Sequence, residues 1–141
     1  MVSTSGAQLL PVEAVQILLR ELLPLTTILT PNVPEAKLLL SQAGAIFNAD
    51  PQSVDDLIEL GKQIHKLGPK HVLLKGGHLP LPTSKDSPEK NKTVSNILIS
   101  DDCATQVIQF SFLETSSSHG TGCSLACKFI DCTRECIILA T

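Results

Sequence analysis

The sequence predicts an α/β fold in which parallel strands are covered by helices. Apolar residues switch repeatedly between the three-to-four spacing of a helix and short continuous runs that suit buried strands. The resulting order is helix, strand, helix, helix, strand, and such alternation packs as a parallel sheet with helices against it. Size agrees: 141 residues, 43% hydrophobic, are enough for one core and too few for two comfortable ones.

Each element can be justified in turn. Met1 to Gly6 reads as loop. Pro11 stands where a first helical turn tolerates proline, and Val15, Leu18, Leu19, Leu22 and Leu23 follow at helical spacing until Pro24 ends the helix. Thr26-Thr27-Ile28-Leu29-Thr30 is a β-branched run closed by Pro31 and predicts a buried strand. Pro34 opens a second helix carrying Ala36, Leu38, Leu39 and Leu40, with Gly44 after it. Ser53 and Asp56 form a capping-box pattern. The helix they cap has the stripe Val54, Leu57, Ile58, Gly61, Ile64 and Leu67, and Gly68-Pro69 stops it. His71 to Lys75 is nearly continuously apolar, as in a strand covered on both faces. Residues 80–95 hold Pro80, Pro82 and Pro88 with no apolar period and predict a mobile surface loop. Asn96–Ser100 and Gln106–Phe112 read as two antiparallel edge strands joined around Asp101-Asp102.

Composition excludes several functions. A net charge of −3 offers no basic footprint for nucleic acid. No uninterrupted apolar run is long enough to span a membrane, and no basic segment precedes the first apolar stretch as in a signal peptide. Aromatics make up 3%, with four Phe and neither Trp nor Tyr, which argues against an aromatic recognition surface. Five cysteines, an odd number without a secretory signal, read as reduced thiols in the cytoplasm. The Asn91-Lys92-Thr93 sequon then has no meaning as a glycosylation site.

Four groups of residues could carry chemistry. His119-Gly120-Thr121-Gly122-Cys123 leads into Ser124-Leu125-Ala126. Its glycines let the backbone approach a ligand, and a helix starting there would aim free N–H groups at an anion with the Cys123 thiolate in its first turn. The alternative is an ordinary glycine turn before a helix. Lys75-Gly76-Gly77-His78 follows the buried strand, where open α/β sheets bind ligands. A lysine and two glycines there can meet a phosphate, or can simply end the strand. Asn32 and Glu35 stand at a strand-to-helix turn. They can orient water on a magnesium ion, or can cap the helix. Cys123, Cys127, Cys132 and Cys136 could hold zinc, though small packing residues fit the spacing better. Three of these groups fall at strand ends or helix starts and suit phosphate or its metal, which is more informative than any one alone.

Those stretches also follow one another in a recognisable order: MVSTSG at Met1–Gly6, LLPL at Leu22–Leu25, TPNVPEA at Thr30–Ala36, LGPK at Leu67–Lys70, LKGGH at Leu74–His78 and HGTGCSLA at His119–Ala126. The pattern closely resembles the hydroxymethylpyrimidine/phosphomethylpyrimidine kinases of thiamine biosynthesis in their fungal form, members of the ribokinase-like superfamily. It runs over 1–126, with residues 80–95 poorly matched. The resemblance implies a three-layer αβα, Rossmann-like fold of which only the C-terminal half of the sheet is present. It implies ATP- and Mg2+-dependent phosphorylation of a small-molecule pyrimidine, 4-amino-5-hydroxymethyl-2-methylpyrimidine, and then of its monophosphate. Gly120, Thr121 and Gly122 would form the anion hole and Cys123 would be the general base. Asn32 and Glu35 match the family's Asn-x-x-Glu motif near the phosphates and magnesium, and Lys75, Gly76 and Gly77 would lie along the ATP site. Cys123 separates this pattern from relatives with aspartate there. The resemblance leaves open homo-oligomers among full-length members.

The departures shape the expectation. The family has Asp-Pro-Val before the residues matching Met1–Ser3, and this chain begins there, so the first βαβ units and most of the pyrimidine pocket fall outside it. Ser117-Ser118 replaces the usual Asn-Thr. Residues 127–141 diverge, as a shifted reading frame, an unspliced intron or a truncated gene model would produce. The isolated chain is therefore expected to be inactive and to associate through an exposed strand edge. A pyridoxal-type vitamin kinase and a non-catalytic nucleotide- or partner-binding pseudo-kinase are the alternatives.

Overall fold

The computed structural model describes residues 10–45, 50–76, 81–82, 92–101 and 104–111. Helix α1 spans Val12–Ile17, with Pro11 as its extended N-cap residue. The chain then widens into a π turn over Leu18–Leu22 and tightens into a 3-10 turn over Leu23–Leu25. Pro24 explains the change. It has no N–H for the carbonyl four residues earlier, and its ring crowds that carbonyl, so a regular α-helix cannot run up to it. The single helix expected as far as Leu23 is thus corrected. The wider turn breaks the 3.6-residue stripe: Val15 and Leu23 are buried, while Leu22 is 56% exposed.

Strand β1 is only Ile28–Leu29, and both residues are half-buried. The five-residue buried strand expected here is shorter because the Thr26 N–H and hydroxyl turn back to the Leu23 and Leu22 carbonyls, while the Thr26 and Thr27 carbonyls accept from the N–H groups of Lys70 and His71. Helix α2 spans Val33–Gln42 and buries Val33, Ala36, Leu39 and Leu40. Gly44 follows at φ 80°. Helix α3 spans Val54–His65 and buries Leu57, Leu60, Gly61 and Ile64. Leu60 joins the stripe, while Val54, Ile58 and Leu67 pack at its margin. Gly68, at φ 124°, ends this segment in a conformation that side-chain-bearing residues rarely adopt.

Strand β2, His71–Lys75, runs parallel to β1, with Ile28 opposite His71 and Leu29 opposite Val72. Strand β3 is Leu81–Pro82, β4 is Lys92–Ser100 and β5 is Gln106–Ser111. All three join antiparallel ladders, so the sheet is mixed. β4 pairs with β2 and β3 along one side and with β5 along the other. The expectation of a short edge strand at 96–100 is therefore corrected in two ways. β4 is interior, and it begins at Lys92, inside the stretch read as a loop. The polar residues Ser95 and Asn96 concealed it: both are buried, at 1% and 7% exposed. Residues 83–91 lie outside the described part.

The core has one side. Val72, Leu74, Ile97 and Ile99 project from one face of the sheet and join Val15, Val33, Ala36, Leu39, Leu40, Leu57, Leu60 and Ile64 in a single cluster. α3 lies close on this face: a Cβ at Gly61 would sit 3.1 Å from Ile99 Cγ1. Leu73, on the opposite face, is also buried and lies outside this cluster.

Both major helices start with a reciprocal cap. At α3 the Asp56 N–H donates to Ser53 Oγ at 3.1 Å, and Asp56 Oδ2 accepts from the N–H groups of Ser53 and Gln52 at 3.0 and 2.9 Å. The Gln52 N–H, then the Ser53 side chain and N–H, hold the Asp56 carboxyl below the usual aspartate range. A carboxyl depressed in the folded state adds stability above the unfolded aspartate's pKa of ~3.9 and loses it as pH falls through the lower folded value. Ser53→Ala should lower the unfolding free energy by about 1 kcal/mol in urea titration at neutral pH. The stability gap between the native chain and Asp56→Asn should be full at about pH 6 and shrink below about pH 4.

Candidate functional site

The carboxyl ends of the two parallel strands meet in one row. The Lys75 N–H donates to the Pro31 carbonyl at 2.8 Å, and Asn32 stands opposite Lys75 in a single parallel bridge. The next residue, Val33, begins α2. Lysine, amide and helix start are thereby brought together, as the sequence predicted for the ends of buried strands. All three of Asn32, Glu35 and Lys75 are half-buried.

Asn32 and Glu35 form a capping box. The Glu35 N–H donates to Asn32 Oδ1 at 2.8 Å, and the Asn32 N–H donates to Glu35 Oε2 at 3.0 Å. The helix-capping reading of this pair is what the geometry displays. It does not exhaust the two side chains, because a carboxylate offers about four lone-pair positions and a primary amide two further donors. The pair also sits at the positive end of the α2 dipole, where negative charge is favoured, and the Lys75 backbone runs opposite Asn32.

Gly76 follows β2 and is buried. A Cβ there would lie 2.2 Å from the Ser95 carbonyl oxygen, so only glycine lets the chain pass β4 this closely. Its N–H donates to Asn96 Oδ1 at 3.2 Å. Behind it, Gln109 Nε2 donates to Ser95 Oγ at 3.3 Å. Sequence reasoning gave Asn96 and Ser95 no place in the site. The available signal was a Ser-Asn pair directly before the apolar run Ile97-Leu98-Ile99.

The remaining sequence candidates lie outside the described residues. These are Gly77 and His78, the motif with Gly120, Thr121, Gly122 and Cys123, and the cysteines Cys127, Cys132 and Cys136. Among the described residues no three His, Cys, Asp or Glu converge on a possible metal position. One carboxylate beside one amide suits magnesium shared with a phosphate, since that ion commonly takes one or two carboxylates plus substrate oxygens. The ammonium and the helix start suit the phosphate itself.

The family model for phosphomethylpyrimidine kinase matches residues 1–130. A Schizosaccharomyces pombe protein named as a hydroxymethylpyrimidine/phosphomethylpyrimidine kinase is 43% identical over 128 residues, covering 89% of this chain and 23% of its own length. The Bacillus subtilis enzyme of that name is 34% identical over 126 residues, covering 89% of this chain and 40% of itself. Among solved structures, the phosphomethylpyrimidine kinase of Clostridium difficile is 36% identical with a TM-score of 0.55, covering 76% of this chain and 38% of that one. An ADP complex of Bacillus subtilis pyridoxal kinase is 31% identical with a TM-score of 0.60, covering 82% and 38%. The chain thus spans between about a fifth and two-fifths of these relatives.

Gly76→Ala should force β2 and β4 apart at this point and cost about 1–3 kcal/mol, as overpacking does. Thermal unfolding would show it, and an unchanged midpoint would rule out the close passage of Gly76 over Ser95.

Proposed function

The chain belongs to the phosphomethylpyrimidine kinase family, and on that premise we propose that it forms part of a kinase using ATP and magnesium. Its substrate is the hydroxymethyl group of 4-amino-5-hydroxymethyl-2-methylpyrimidine, then the resulting monophosphate. The observation that carries this reading is the row joining Asn32, Lys75 and Gly76 at the carboxyl ends of the parallel strands. ATP would supply the phosphoryl group, and magnesium would offset its charge.

In this reading the chain's own residues bind and orient. Lys75 meets phosphate oxygens as a fixed cation, and Gly76 keeps the backbone low beside them. Glu35, with Asn32, faces the metal through water. Gly120, Thr121 and Gly122 stabilise the transferring phosphoryl group by backbone N–H groups, and Cys123 Sγ takes the substrate's hydroxyl proton. Phosphoryl transfer is mainly positioning and electrostatics, so such parts are sufficient in kind. The reading carries with it a cytoplasmic enzyme. No helix among the described residues is long and apolar enough to cross a membrane.

A second reading, a pyridoxal-type vitamin kinase, is favoured by the likeness to the pyridoxal kinase at TM-score 0.60. One experiment separates the two. The chain is joined to the N-terminal portion of the Bacillus subtilis relative and assayed with ATP, magnesium and either alcohol. Hydroxymethylpyrimidine should be phosphorylated, and Cys123→Ala should lower kcat by about 10²–10⁴ while nucleotide binding stays. Lys75→Ala should weaken ADP binding by about 10-fold. Turnover of pyridoxal alone would favour the second reading, and binding without turnover of either alcohol would leave a pseudo-kinase.

A further inference from the structure

We infer that Asn96 is a positioning residue for the nucleotide side of the site, acting through the backbone of Gly76. This deepens the kinase reading and rests on it. The argument begins with the ladder. β2 and β4 pair in register from His71–Ser100 to Lys75–Asn96. Farther along the same side of β4, Leu81 pairs with Thr93. Five residues separate Lys75 from Leu81, but only two separate Thr93 from Asn96, so the chain leaves the ladder after Lys75. Leaving a ladder strips the departing N–H of its backbone partner, and a buried N–H without a partner is costly.

Asn96 resolves this. Its side chain is 7% exposed, and Oδ1 takes the Gly76 N–H that the strand backbone no longer serves. The oxygen, not the amide nitrogen, faces Gly76, because only the oxygen can accept. On the other side of the row, the Lys75 N–H is fixed to Pro31, whose neighbour Asn32 caps α2. One hydrogen-bonded line therefore runs from a β4 side chain through Gly76 and Lys75 to the start of α2. Asn96 sets where Lys75 stands relative to that helix start without touching a ligand itself.

The test uses the whole chain, with ADP as the probe and two readouts. Asn96→Leu keeps the side-chain volume and removes the acceptor. It should speed hydrogen exchange of the Gly76 amide by about 10-fold or more while leaving Val72 and Ile97 protected, and should raise the ADP dissociation constant by about 10-fold. Asn96→Asp keeps an acceptor oxygen and should restore Gly76 protection. If Asn96→Leu does not fold, Asn96→Ser, whose shorter side chain leaves Gly76 unserved, takes its place under the same readouts. Unchanged Gly76 exchange in the acceptor-free variant overturns the inference. So does faster exchange with unaltered ADP affinity. A native chain that binds no ADP overturns this nucleotide-side role and leaves the kinase reading to the joined chain, an outcome distinct from a native chain that binds and a variant that binds equally well.

Discussion

The hydrogen bond from the Lys75 amide to the Pro31 carbonyl is the join on which the rest of the site depends. β1 is two residues long and cannot by itself hold a parallel pairing. The bonds from Lys70 and His71 to Thr26 and Thr27 extend the contact at one end, and the Lys75 bond extends it at the other. Parallel pairing across a long connection is entropically expensive to close. Here the connection is itself ordered as α2 and α3, whose apolar faces bury against Val72 and Leu74. Packing of the helices and alignment of the strand ends are thus one event.

The caps make that event local as well as global. α2 and α3 each begin with a residue whose side chain accepts from the N–H of the third helical residue and whose own N–H donates to that residue's side chain. At α3 the box is exposed and has a structural role only. At α2 the same device sits in the row with Lys75, so the stabilising cap and the proposed phosphate- and metal-facing groups share the same atoms. This is why opposing the two readings of Asn32 and Glu35 was too strict. A capped helix start is already a place where N–H groups and dipole favour an anion.

Much of the fold was legible because Gly, Pro and capping residues mark its boundaries. The α2 and α3 segments, the β2 strand and the Gly68 stop follow from local chemistry that acts within a few residues. The misreadings came where tertiary contacts decided. Pro24 alters the helix before it by a steric effect that hydropathy spacing does not register. β4 reads as an edge because the run from Asn96 is short and mixed, and nothing local says that β5 pairs along one side while β2 pairs along the other. Of the candidate site, the strand-end motifs at Asn32–Glu35 and Lys75–Gly76 were legible, and the structure brings these two together. The place of Asn96 beside them was not legible, since it depends on a register between strands far apart in sequence. The family resemblance is shown over 1–130, whereas the Cys123 motif itself lies outside the described residues.

The stop at Gly68 reaches beyond its own helix. A Cβ placed there would lie 2.9 Å from the Cα of Pro24, so the loop that closes α3 rests directly on the turn that precedes β1. Loops are ordinarily where a lineage gains and loses residues at little expense. These two are not independent in that way. An insertion in either would lift it off the other and shift the start of β1 or β2, so lengthening is tolerable only where both change together. The two segments that lead into the parallel pair share one evolutionary allowance, and it is a small one.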